Sequence, residues 1–61
     1  MSKFQINKEI MKTRFELDSL LIYVANYFHN LSDEQVKGLY VKVDELNNRL
    51  EELRQMKKEV R

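Results

Sequence analysis

The sequence has no cysteine, no proline and no tryptophan, a single glycine at Gly38 and a single histidine at His29. Without cysteine there can be no disulfide and no thiolate metal site, and one histidine is too few for an imidazole-based centre. No metal and no other cofactor is therefore expected. Without proline, and with glycine only at Gly38, long stretches of chain carry nothing that interrupts a helix. Charge of one sign is scarce as well. Eleven Lys and Arg against ten Asp and Glu leave a formal +1, too little for a field that steers nucleic acid or an anionic membrane. The longest apolar run, Leu20 to Ala25, falls far short of the ~20 residues that span a bilayer. Met1-Ser2-Lys3 leads into no apolar signal-peptide segment, and the chain reads as cytoplasmic with no membrane association.

What is present is a 61-residue chain, 43% hydrophobic and 34% charged. That composition suits long helices or a coiled coil, not disorder. The expectation is a single domain over residues 1–61. Chains below about 70–80 residues rarely bury enough apolar surface to hold a unique fold unless a disulfide, a metal or a partner assists. With the first two excluded, association is left.

The strongest local signal is Leu31-Ser32-Asp33-Glu34-Gln35-Val36. Ser32 and Gln35 have the spacing of a capping box, and Leu31 and Val36 that of a hydrophobic staple. Asp33 and Glu34 would sit at the positive end of the helix dipole. Asn30 is the non-glycine residue best suited to the left-handed conformation that ends many helices. The reading is helix 1 over about 3–29, a turn at 30–32 and helix 2 over about 33–58. So short a connection makes the helices antiparallel.

Along helix 2, Val36, Leu39, Val43, Leu46, Leu50 and Leu53 recur alternately three and four apart, the seam of a left-handed coiled coil. Glu45 stands four before Arg49 and predicts an ion pair. Arg54, Lys57, Lys58 and Arg61 suit a helix C-terminus. The charged stretch from Glu51 onward is expected to fray. Gly38 has two readings, a tolerated surface glycine or a point of close backbone approach.

Helix 1 starts at Ser2, where Ser2-Lys3-Phe4-Gln5 repeats the cap pattern, or at Asn7. Its seam reads Ile6, Ile10, Thr13, Leu17, Leu20, Val24 and Tyr27, and Leu21 and Phe28 broaden it. A second apolar set, Phe4, Met11, Phe15 and Ile22, extended by Ala25 and His29, falls opposite that seam. A helix in a two-helix hairpin can bury only the side that meets its mate. Each of these side chains would gain roughly 1.5–3 kcal/mol if buried, and an exposed patch of this kind marks an interface.

The expected fold is therefore all-α, an antiparallel two-helix hairpin that dimerises into a four-helix bundle or coiled-coil-like assembly. Its core and dimer seam comprise Leu17, Leu20, Leu21, Val24, Phe28, Leu39, Val43, Leu46 and Leu50. The partner-binding residues are Phe4, Met11, Phe15 and Ile22, for a second copy, a different protein, or both. The expected function is that of a small regulatory or adaptor protein acting by protein–protein binding. No catalytic residue is expected, because no paired carboxylates, no hydroxyl with a placed base and no phosphate loop are present. His29 reads as a helix-end residue and Asp44 as a solvated carboxylate.

Short fragments resemble three families of small helical regulators, and fold-level likeness of this kind speaks to role only by analogy. Leu39-Tyr40-Val41-Lys42-Val43-Asp44-Glu45-Leu46 looks like the second helix of the sporulation-regulating aspartyl-phosphate phosphatases of bacilli, whose signature is Ser-Gln-Glu-Leu-Asp. Asp44 matches that signature, and Tyr40 stands where it has Ser. The resemblance implies phosphatase activity toward a bacterial response regulator, through Asp44. Leu31-Ser32-Asp33 with Tyr40 and Asp44 is similar to the haemolysin-expression modulators that bind a nucleoid protein. Arg14-Phe15 with Asp33-Glu34-Gln35 looks like the plasmid copy-number hairpin that dimerises and binds paired RNA loops. It implies RNA contact at Phe15, with Lys8, Lys12 and Arg14 beside it.

Overall fold

Two capping boxes decide where the helices begin. Ser32 Oγ accepts from the Gln35 backbone N–H at 3.2 Å while Gln35 Oε1 accepts from the Ser32 backbone N–H at 2.9 Å. The same exchange joins Ser2 and Gln5 at 3.2 and 3.0 Å. In a computed structural model that describes residues 2–60, these boxes open α1, Lys3–Tyr27, and α2, Asp33–Glu59. The start of α1 is thus at Ser2 and not at Asn7. Among the described residues there is no strand.

The end of α1 differs from expectation. Asn30 is not left-handed, and no non-glycine residue among those described has positive φ. The chain instead tightens into a 3₁₀ turn, Phe28–Asn30, whose Phe28 carbonyl accepts from the Leu31 N–H at 3.3 Å. Leu31 and Ser32 then run extended into the second cap. A tightened last turn satisfies a terminal carbonyl without any residue entering the left-handed region. Leu31 and Val36, the staple residues, are half-buried and line one groove with Phe28.

With so short a turn, residues equidistant from it stand level across the helix pair. Ile6 lies level with Leu53, Thr13 with Leu46 and Leu20 with Leu39. Each level joins one seam residue to another, so the helices bury a single line. From α1 it takes Ile6, Thr13 and Val24; from α2 it takes Val43, Leu46, Leu50 and Leu53. Ile10, Leu17, Leu20, Val36 and Leu39 are half-buried along the same line. No buried side-chain polar atom among the described residues lacks a partner. The result is a rod of 46 × 15 × 12 Å.

Two further expectations are corrected. Tyr27 does not join the seam, remaining 49% exposed, because it stands level with the polar cap at Ser32 and Asp33, where α2 offers nothing apolar to cover it. The charged end of α2 continues the helix, in keeping with the expected end near residue 58. It stays helical to Glu59, with Leu53 fully buried and Met56 half-buried against an α1 that begins as early as Lys3. Arg61 lies outside the described residues. Glu45 pairs with Lys42 at 3.9 Å, and Arg49 with Glu52 at 3.8 Å, in place of a Glu45–Arg49 pair. Both i,i+3 pairs are exposed, and such pairs contribute little to stability.

Gly38 is a surface glycine. A Cβ built there would meet nothing within 4 Å, which removes the close-approach reading within the hairpin. Gly38→Ala should therefore raise stability by about 0.5–1 kcal/mol, read as a higher melting temperature by circular dichroism. Ser32→Ala should lower it by about 1 kcal/mol, since it removes the acceptor for the Gln35 N–H. For a chain of this size that is a drop of roughly 4–8 °C. Ser2→Ala, at a helix end far from the turn, should cost less, and urea titration of the two variants side by side would show the ranking.

Candidate protein-interaction site

At about 100° per residue, Phe4, Met11, Phe15 and Ile22 fall within about 20° of one line down α1. The buried Ile6, Thr13 and Val24 point almost the opposite way. Packing confirms the separation: the four outer side chains are 77, 73, 73 and 61% exposed in that order. The stripe runs for about 27 Å at 1.5 Å per residue. It is held by a helix whose other side is already fixed against α2.

The remaining residues expected in the seam divide. Leu17, Leu20, Val24, Leu39, Val43, Leu46 and Leu50 lie in the interface between the helices, buried or half-buried. Leu21 and Phe28 do not, being 42 and 51% exposed. They sit on one flank of the seam, beyond the reach of a single narrow partner helix. Tyr23 and Tyr27 occupy the other flank, their rings 4.9 Å apart. Tyr23, Tyr40 and Val41 are exposed apolar residues that the seam pattern does not single out. The spacing of Tyr23 and Tyr27, four apart, was the available signal for their pairing.

Polar candidates are scattered. Lys8, Lys12 and Arg14 are exposed, but only Lys8 points along the stripe, with Arg14 and Lys12 splayed to opposite sides of it. Asp44 is exposed on the outer side of α2. His29 is exposed in the 3₁₀ turn, its ring edge-on to Phe28 at 5.9 Å. Only tertiary structure brings Lys3 to Arg54, Lys57 and Lys58, around an open groove at the end of the rod away from the turn. Among the described residues no group of three His, Asp or Glu side chains is placed to hold a metal, and no helix is long and apolar enough to cross a membrane.

Surface balance singles out the stripe. Among the described residues ten large hydrophobic side chains are exposed, against six buried hydrophobic ones. The accessible area of 5051 Å² exceeds the ~4,200 Å² of a compact monomer of this size. Patches of aligned Phe, Met and Ile are the surface type from which interfaces are made.

The chain matches no known protein family, no curated protein and no solved structure. The surface itself is the basis for a functional reading.

Proposed function

We propose that this chain is a small regulatory or adaptor protein of the cytoplasm, without catalytic activity or cofactor, that acts by protein–protein association through the outer stripe of α1. The observation that carries the reading is the alignment of Phe4, Met11, Phe15 and Ile22, all exposed, on the side of α1 opposite its packing face. A core of six apolar side chains among the described residues leaves a chain this short near the margin of stability. A second buried face would add to that stability as well as supply specificity. An apolar helix face of this kind docks against another helix or into an apolar groove.

The test combines light scattering on the purified chain with capture from its native cell, each done for wild type and Phe15→Asp. The reading expects an associated species, or a captured protein, that Phe15→Asp removes. A folded monomer whose every interaction survives both Phe15→Asp and Ile22→Asp would sink it.

A further inference from the structure

The outer stripe carries a pattern that its apolar residues alone do not reveal. Its positions along α1 are Phe4, Lys8, Met11, Phe15, Asp18 and Ile22, alternating four and three apart in the spacing of a coiled-coil seam. All six are exposed. The order is palindromic about position 13, where Phe4 and Ile22 are equidistant, as are Lys8 and Asp18, and Met11 and Phe15. Any six-position seam with this spacing is symmetric in position; what distinguishes this one is that its two charges, Lys8 and Asp18, are opposite in sign and equidistant from the midpoint, so that an isologous two-fold contact pairs them.

We propose that the occupant of the stripe is a second copy of this chain, with the two α1 helices antiparallel and the two-fold axis level with Thr13. The proposal rests on the reading of the stripe as an association surface and names its partner. In this register Phe4 faces Ile22 of the second copy, Met11 faces Phe15, and Lys8 faces Asp18, each pair occurring twice. Within these six positions apolar meets apolar and each charge meets its opposite; on the two flanks Lys12 nears Lys12 of the second copy and Arg14 nears Arg14, like charges that the stripe pairs must outweigh. The ion pairs among the described residues, Lys42–Glu45 and Arg49–Glu52, both lie on α2, and within the described chain neither Lys8 nor Asp18 has such a partner.

Other arrangements of the same two helices lose this match. A parallel pair in register sets Lys8 against Lys8 and Asp18 against Asp18. An antiparallel pair displaced by one heptad sets Asp18 against Phe15 and leaves Lys8 opposite Ala25. A slide the other way sets Lys8 against Met11 and leaves Asp18 and Ile22 unmatched. Polar residues at seam positions set orientation and register at some expense of stability, and here they select one arrangement.

Since the stripe and the seam lie on opposite sides of α1, the dimer is a row of four helices, with the two α1 helices inside and the two α2 helices outside. A square bundle would need the two buried faces nearer to a right angle. Leu21, Tyr23, Tyr27 and Phe28 stay at the flanks of that row.

Charge exchange in the full chain tests the register. Sedimentation equilibrium should give a dimer for wild type, with Lys8→Asp and Asp18→Lys each raising the dimer dissociation constant about 30-fold or more. The double variant Lys8→Asp/Asp18→Lys restores opposite charges at both layers and should return it to within about threefold of wild type. Circular dichroism on each variant confirms that the hairpin stays folded, as expected for exposed positions. A double variant as weak as the singles, or a dimer indifferent to all three, would overturn the register. A wild-type monomer at high concentration would overturn self-pairing altogether. In that case capture of a cellular protein sensitive to Phe15→Asp leaves the association reading standing, and capture insensitive to it removes both.

Discussion

Leu53→Ala should unfold most of the hairpin at temperatures where the wild type is fully helical, with Ile6→Ala doing the same. Both side chains are fully buried and stand level with each other at the end of the rod farthest from the turn. Truncating a buried Leu or Ile to Ala costs about 2–5 kcal/mol. A single core in a chain of this length rarely supplies more than about 3–5 kcal/mol, so one truncation consumes most of it. Alanine is a better helix former than either residue it replaces. Any loss of helical signal therefore reports lost packing between the helices and not lost propensity within one. Thermal and urea melts by circular dichroism provide the measurement. An unchanged midpoint would mean that the charged end of α2 does not dock on α1, as a fraying end would not.

Phe15→Asp should do the reverse, leaving the isolated hairpin nearly as stable as before while abolishing its association. Phe15 is largely exposed, and surface substitutions of this kind usually stay within about 0.5 kcal/mol. Phe and Asp also rank together in helix propensity, so the swap does not weaken α1 itself. In the complex, by contrast, a charge enters the middle of an apolar contact and the ~1.5–3 kcal/mol of a buried Phe is lost. In a symmetric dimer both losses occur twice, and association should fall by a factor on the order of 10³ or more. Melting at several protein concentrations separates the two effects, because only an associating chain has a concentration-dependent midpoint. Wild type should show that dependence and Phe15→Asp should not. A Phe15→Asp midpoint that still rises with concentration would move the interface elsewhere, to flanking residues such as Tyr23 and Tyr27.

These two substitutions remove apolar side chains of similar size from one helical pair, and their contrast shows what each kind of information supplies. Ser32 with Gln35, and the seam from Val36 to Leu53, were legible because their physics is local. A cap needs only a hydroxyl and an amide three residues apart, and a seam needs only the right recurrence. Features that depend on what stands opposite were not legible. Tyr27 has the spacing of a seam residue, yet a polar cap faces it. Glu45 has Lys42 and Arg49 both within reach, and the sequence does not say which it takes. The end of α1 offered two ways to satisfy its carbonyls, a left-handed Asn30 or a tightened turn, and both are compatible with the same residues.

The balance at α1 is the same in kind. By itself the sequence determined that the chain is two capped helices joined by a short turn, that they run antiparallel, and that α1 is apolar on two sides. Those follow from hydrogen bonds and periodicities closed within a few residues. Tertiary structure decided that Leu21, Tyr27 and Phe28 fall outside the line α2 covers, how far along the charged end the packing continues, and that Gly38 faces open space. That Phe4, Met11, Phe15 and Ile22 stay in water follows from the seam spacing already, and the fold agrees with it. A narrow helix can cover only one line of its neighbour, and burial is a property of the pair.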